Sequence, residues 1–303
     1  MNGVKSVDQS KPVQILEEVS SFITSTGATI FYRDFQPEGT PNFIPLMCLH
    51  GFLRNSRDFV EFGELMAKRG VRVIAPDLRG RGFSEWFNDS SQYHYDLIKR
   101  DVVELLDHLQ IMRVALLGIA LGALISIDLA AEEPQRVKGI VLNDQGTEVN
   151  KQSASKMASN VEAASYTFDE AVERMKLHFG DTYPGLSHER WVNLTLRAYR
   201  DHKPGEYARD LDLSSMADVP RLAAERPDLW KHFLATVGTP VAILRGALST
   251  YFSADCADRM VASHPKASLT TIEGRGHPPL LDEQASLEAI FELLEKASAE
   301  QPT

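Results

Sequence analysis

The stretch LLGIALGALISIDLAA, residues 116 to 131, limits the chain's possible folds more than any other. It reads as a strand Val114–Leu117, a tight turn at Gly118-Ile119-Ala120-Leu121-Gly122, and a helix carried on through Ala131. Asp128 interrupts the apolar run and two glycines fall in its first half, so the segment fits a buried strand–turn–helix better than a membrane span. Its spacing is that of the nucleophile elbow G-x-S-x-G, whose middle residue is held exposed on a strained strand-to-helix turn. The middle residue here is Ala120. A methyl group cannot attack a carbonyl, so the turn offers a scaffold for covalent catalysis without the nucleophile.

Around this segment, apolar runs bounded by turn residues alternate with stretches of helical period, which predicts an α/β chain with a mostly parallel sheet covered by helices. An antiparallel pair is expected first, Gln14–Ile23 with Ala28–Phe35. Buried strands follow at Ile44–Leu49, Val71–Ala75, Val114–Leu117, Gly139–Leu142, Val241–Leu244 and Ser268–Ile272. Helices are expected at Asp58–Lys68, Leu97–Leu109, Leu121–Ala131, Ala254–Ser263 and Gln284–Lys296. The rhythm breaks between about Gly146 and Val237, where helix-like runs at Ser153–Ala164, Asp169–Phe179 and Glu189–Tyr199 carry scattered aromatics. That stretch reads as a helical lid over the carboxyl edge of the sheet, where open α/β sheets bind ligands; the alternative is a set of surface helices packed on the body. The domain reading is a core from residues 14–145 and 238–297, a cap at 146–237, and flexible tails at 1–13 and 298–303.

The charge balance narrows the partners. With 42 acidic against 32 basic residues, net −10, the chain is a poor match for nucleic acid, and a small-molecule substrate is the expectation. Two cysteines, Cys48 and Cys256, fit a reducing compartment, and neither has metal-ligand spacing. The polar N-terminal stretch lacks an apolar signal core, which points to the cytoplasm and away from a membrane. No cofactor or metal is expected, because no phosphate-binding glycine loop or ligand cluster is present. Periodicity leaves the oligomeric state open, a homodimer included.

Four stretches, in order and at strand ends, resemble the α/β-hydrolase-fold family with a helical cap inserted after strand six of an eight-stranded twisted sheet: LMCLHGFLRN, APDLRGRGFS, the elbow, and IEGRGHPPLLDE. The subgroup pattern HG-x-x-RN-x-x-DF, DLRGRG-x-S, VLND and GH-x-P-x-LDE is especially similar, and His50, Arg54, Asn55, Asp58, Phe59, Asp144 and Asp282 stand in those places. The resemblance implies backbone N–H groups of Phe52 and Leu121 as an oxyanion hole and His277 as the catalytic base. Candidate substrate contacts are His50, Arg54, Arg81, Trp86, Trp191 and Tyr199. For Arg79 and Arg81 a role in holding the loop is preferred to one in binding an anion, and His50 is read as structural. Trp86 is placed equally well in the pocket or in surface packing.

Two departures separate the chain from the usual triad. Alanine holds the nucleophile position, and the acid expected after the seventh strand falls at Thr250. Asp144, at the end of strand six, is the substitute acid, weighed evenly against a role as a hinge residue capping local backbone; Asp255 ranks below it because it opens a helix. Three readings of the alanine elbow stay open. The alanine could be a deliberate serine replacement that traps substrate. It could belong to a natural hydrolase that uses water on an ester, C–C, amide or carbamate-like bond, a form similar to the G-x-A-L-G-A-L elbow of aminoacrylate or carbamate hydrolases, with a cofactor-free lyase or isomerase using His277 as base beside it. The third is a silent ligand-binding protein.

Overall fold

The computed structural model describes residues 16–149, 161, 163–226 and 228–299. Its centre is β5 (Val114–Ile119), six buried residues, as expected of an apolar run covered on both faces. Around it runs one sheet in the order β1-β2-β4-β3-β5-β6-β9-β10. The remaining strands of that sheet are β1 (Leu16–Ile23), β2 (Thr29–Gln36), β3 (Leu46–Leu49), β4 (Val73–Pro76), β6 (Val137–Asn143), β9 (Val241–Gly246) and β10 (Ala267–Ile272). Strand β2 is antiparallel to β1 and to β4, and all the pairs from β4 through β10 are parallel. Each strand expected from the sequence is present, with ends that coincide or shift by at most two residues.

The order of the strands decides where a ligand can bind. From β3 the chain steps to β4 on one side and then crosses to β5 on the other, so the topological switch lies between β3 and β5. A crevice opens there at the carboxyl ends of the strands. Register aligns those ends: Leu49 pairs with Gly118, Ile119 with Asn143, and Asn143 with Leu244. His50, Ala120 and Asp144 each follow directly on a strand that ends at this edge.

Helices α1 (Val60–Lys68), α2 (Tyr95–His108) and α3 (Leu121–Glu132) cover the sheet with the helices Ala254–Ser263 and Gln284–Ala299. The first begins as a single 3-10 turn over Ser56–Phe59, with the Asn55 side chain accepting from Arg57 N. Helix α3 is buried from Leu121 to Ala130 and apolar all round, which suits an element enclosed on every side. The one acid of that buried stretch, Asp128, has no exposed surface and accepts from Tyr95 Oη at 3.0 Å and Arg226 Nη1 at 2.9 Å.

Between β6 and β9 the chain leaves the sheet. It forms the helices Phe168–Phe179 and His188–Ala198, the antiparallel pair β7 (Tyr199–Lys203) and β8 (Glu206–Arg209), and the helices Asp218–Glu225 and Trp230–Ala235. The helices expected at Asp169–Phe179 and Glu189–Tyr199 are there, each with a side-chain cap, from Thr167 and Ser187. The run expected at Ser153–Ala164 lies largely outside the described residues. The hairpin corrects the sequence reading: Tyr199 opens a strand instead of closing a helix. Pro204-Gly205, with Gly205 at φ +79°, is the turn signal that marks it.

The elbow can close only with glycine on either side of Ala120. A Cβ at Gly122 would stand 2.1 Å from Leu49 O, and one at Gly118 would stand 2.3 Å from Ala123 N, both of them backbone atoms that cannot swing aside. Gly122→Ala is therefore expected to lower the unfolding free energy by about 3 kcal/mol or to prevent folding. A urea midpoint equal to the parent's would contradict this packing.

Candidate active site

Ala120 sits at φ 47°, ψ −109°, a conformation that costs a residue bearing a Cβ roughly 1–3 kcal/mol. The chain keeps this geometry although no hydroxyl is present to use it. Gly51 lies against the turn, since a Cβ built on it would meet Ala120 Cβ at 3.5 Å and Ile119 O at 3.6 Å. The loop after β3 and the elbow are thus in contact. Helix α3 starts at Leu121 with no side-chain cap, which leaves the N–H groups of Leu121 and Gly122 without an intrahelical acceptor. In the neighbouring loop the turn bond runs from Arg54 N to Gly51 O, and Phe52 N has no backbone acceptor among the described residues.

One strand away, Asp144 joins His277. The imidazole Nδ1 is 2.9 Å from Asp144 Oδ2 and 3.1 Å from its main-chain oxygen. Two oxygens facing Nδ1 assign the proton to that nitrogen and leave Nε2 as the basic atom. The carboxylate also accepts from Gly246 N (2.8 Å, to Oδ1) and from Ser249 Oγ (2.5 Å, to Oδ2). Asp144 is fully buried and has φ 55°. Asp144 therefore contacts both backbone, at Gly246 N, and the imidazole, at Nδ1. Because Ile119 and Asn143 are register partners, Ala120 and Asp144 leave adjacent parallel strands, which lie about 4.8 Å apart.

Two neighbours of His277 were not legible in the sequence. Tyr251 stacks on the imidazole with centroids 4.4 Å apart and planes inclined by 21°, and Tyr183 Oη donates to Pro278 O at 2.9 Å. Burial pushes both phenols up, Tyr251 above its ordinary value and Tyr183 further. Thr250, at the position of the usual acid, is exposed and is not the partner of His277; its flanking residues Ser249 and Tyr251 hold the Asp144–His277 pair instead.

The candidate substrate contacts fare differently. His50 is fully buried: Nε2 accepts from Leu78 N at 2.9 Å, and Nδ1 lies 2.8 Å from Gly51 O. Burial, in the main, lowers its pKa to about 3, so it is a neutral brace and not a substrate contact. Arg81 is likewise turned inward, donating to Phe52 O at 3.2 Å and Arg79 O at 2.7 Å, and it steadies the loop that presents Phe52 N. Arg79 forms a buried two-point pair with Asp101, at 2.8 and 2.7 Å. Arg54 pairs with Asp58; burial opposes both charges, but the pairing outweighs it, so Arg54 is held above and Asp58 below its ordinary value. Trp191 and Tyr199 are buried in an apolar cluster with Tyr183 and Met175, where their rings are packing and not pocket lining. Trp86 lies between the turn after β4 and the β7–β8 hairpin, its ring 5.6 Å from His202.

Among the described residues, no three His, Cys, Asp or Glu side chains gather as metal ligands, and no helix is long and apolar enough to cross a membrane. Cys48 and Cys256 are free and buried.

Comparison with known proteins gives a consistent picture. The sequence pattern of the alpha/beta hydrolase fold matches residues 44–284. A solved alpha/beta hydrolase from Novosphingobium aromaticivorans superposes with a TM-score of 0.83 at 31% identity, covering 92% of this chain and 98% of its own. The chain is also 27% identical to a 3-hydroxybutyrate-oligomer hydrolase of Cupriavidus necator, over 80% of this chain and 85% of that protein. It is 26% identical to a 2-(acetamidomethylene)succinate hydrolase of Mesorhizobium japonicum, over 77% and 81% respectively.

His50 generates a prediction. Its folded pKa of about 3 lies below the ordinary 6.5, so between those values the unfolded chain binds one more proton at this residue. Stability is then lost as pH falls from 6.5 toward 3. His50→Gln, which keeps an acceptor for Leu78 N, should reduce the slope of unfolding free energy against pH by up to about 1.4 kcal/mol per unit in that window. Identical slopes would contradict a neutral His50.

Proposed function

The chain belongs to the α/β-hydrolase-fold family, and from that premise we propose that it hydrolyses a small acyl substrate through water activated by His277, without an acyl-enzyme. The carbonyl carbon would be an ester, amide, carbamate-like group or an activated C–C bond. The observation that carries this reading is the 2.9 Å contact between His277 Nδ1 and Asp144 Oδ2. It supplies the oriented base of a triad at an elbow that has no serine.

The steps follow from the groups present. His277 Nε2 takes a proton from water as the water oxygen bonds to the carbonyl carbon, and Asp144 stabilises the imidazolium. The carbonyl π electrons move to oxygen, which accepts from the N–H groups of Phe52 and Leu121. When the tetrahedral species collapses, the bond to the leaving group breaks and His277 returns the proton to it. Arg81, bonded to Phe52 O, keeps one donor of this pair in place. Residues 146–237 act in this reading as a cap over the crevice, with the buried aromatic cluster around Trp191 giving it rigidity.

An elbow without a nucleophile need not be inert. The oxyanion hole and substrate binding alone leave on the order of 10³-fold acceleration over water in a triad enzyme. The relatives named above are hydrolases of oligomeric hydroxybutyrate and of acetamidomethylene succinate, an ester and an amide. Both bond types fall within the class proposed.

Initial rates on a panel of small activated esters and carbamates test the proposal. The parent is expected to turn over at least one member, with kcat/KM falling by about 10²–10⁴ in His277→Ala and by a similar factor in Asp144→Asn. Absence of turnover in the parent, or turnover indifferent to His277→Ala, would overturn the hydrolytic reading.

A further inference from the structure

Asp144 fixes one edge of the imidazole and leaves the plane of the ring to another contact. The bond at Nδ1 sets where that nitrogen lies. A hydrogen bond tolerates tens of degrees of misalignment, and the χ2 torsion of histidine is broad, so the ring can still pivot about this contact. A pivot of that size carries Nε2 by about 1 Å, a displacement able to cost on the order of 10²-fold in rate.

Tyr251 supplies the missing constraint. Its ring stacks on the imidazole, with centroids 4.4 Å apart and planes inclined by 21°. Contact across a whole ring face resists tilting, which one bond at the ring's edge does not. Burial pushes the phenol up, so the ring stays neutral where an imidazole works as a base and offers packing without a charge. The other ionisable groups of this corner are committed elsewhere: Tyr183 Oη donates to Pro278 O at 2.9 Å, and Arg275 Nε donates to Glu283 Oε1 at 2.8 Å.

The loop after β9 is built to hold that ring still. Ser249 Oγ donates to Asp144 Oδ2 and accepts from Tyr251 N at 3.3 Å and Phe252 N at 3.2 Å, which uses its donor and both lone pairs. Arg245 Nε donates to Phe252 O at 2.9 Å, Leu248 N to Arg275 O at 2.9 Å, and the Phe252 side chain is buried. One hydroxyl thus ties the backbone of Tyr251 to the carboxylate that bonds the imidazole. This is the loop in which the usual acid position is Thr250; it lends His277 a ring in place of a carboxylate. We propose that Tyr251 is a positioning residue for His277, its ring holding the imidazole in the plane where Nε2 meets the attacking water. The proposal rests on the hydrolytic reading above, and Tyr251 takes no part in bond making.

Two variants separate the ring from the hydroxyl. Tyr251→Phe keeps the stacking face, and Tyr251→Ala removes it at a partly exposed position where the core is not opened. With 4-nitrophenyl acetate, kcat is expected to fall by about tenfold or more in Tyr251→Ala with KM little changed, since a tilted base harms the chemical step and not binding. Tyr251→Phe should stay within about twofold of the parent in both constants. Crystal structures of the parent and both variants give the second readout. The imidazole is expected in one orientation against Asp144 in the parent and in Tyr251→Phe, and turned or split between orientations in Tyr251→Ala. An imidazole unmoved in Tyr251→Ala, or a loss of kcat as large in Tyr251→Phe as in Tyr251→Ala, would overturn the proposal. If the parent turns over no ester, the hydrolytic reading fails on its own, while an imidazole that turns only in Tyr251→Ala would still support the positioning role.

Discussion

One buried carboxylate organises the edge of the sheet where the chemistry is proposed. Asp144 takes a backbone N–H from Gly246, the hydroxyl of Ser249 and the imidazole of His277 at the same time. The ends of β6 and β9 and the loop after β10 are thereby held to one another through a single side chain. A carboxylate shared among three donors cannot reorient without orphaning one of them, and in a low-dielectric interior that cost is high. The rigidity of His277, and the choice of Nε2 as its free nitrogen, depend on this arrangement. The usual acid position, at Thr250, is not needed for it.

Strain at Ala120 is the second constraint. The positive φ at a non-glycine residue persists because Gly118 and Gly122 let the turn pack against β3 and because helix α3 is enclosed on every side. In the proposed mechanism the turn presents the N–H groups at the head of α3 to the crevice whether or not a hydroxyl is present. An elbow without a hydroxyl still keeps, in that mechanism, the electrostatic half of the site, which is the half that usually contributes most to catalysis of acyl transfer. The loop carrying Phe52 is braced by His50 and Arg81, two buried polar side chains bonded to backbone atoms.

The sheet and the covering helices were legible in the sequence because buried parallel strands need unbroken apolar runs and the turns between them need glycine, proline or polar residues. The site was legible where backbone geometry forces residue type: the glycines of the elbow and His277 at the end of the last strand's loop. Side-chain direction was not. Trp191 and Tyr199 looked like pocket aromatics because an aromatic ring serves packing and binding equally well, and only the fold shows them enclosed with Met175. For His50 and Arg81 a structural role was the preferred reading, and the fold supplies the partners that the sequence could not name, Leu78 N and Gly51 O for one, Phe52 O and Arg79 O for the other. The β7–β8 hairpin is mostly polar, so period alone could not distinguish it from a helix end, and Pro204-Gly205 was its one local sign. Tyr251 and Ser249 carry no motif, and their roles arise from the loop that brings them to His277 and Asp144.

The central claim is that water, and no side chain of the protein, attacks the substrate. Intact-protein mass spectrometry of the parent, acid-quenched during turnover of an activated ester, tests it most directly, with Ala120→Ser treated alongside. An unmodified parent mass beside an acylated Ala120→Ser protein is the predicted result, since only the variant has a hydroxyl on the elbow. An acyl adduct on the parent, lost with turnover when the acylated residue is replaced, would contradict it.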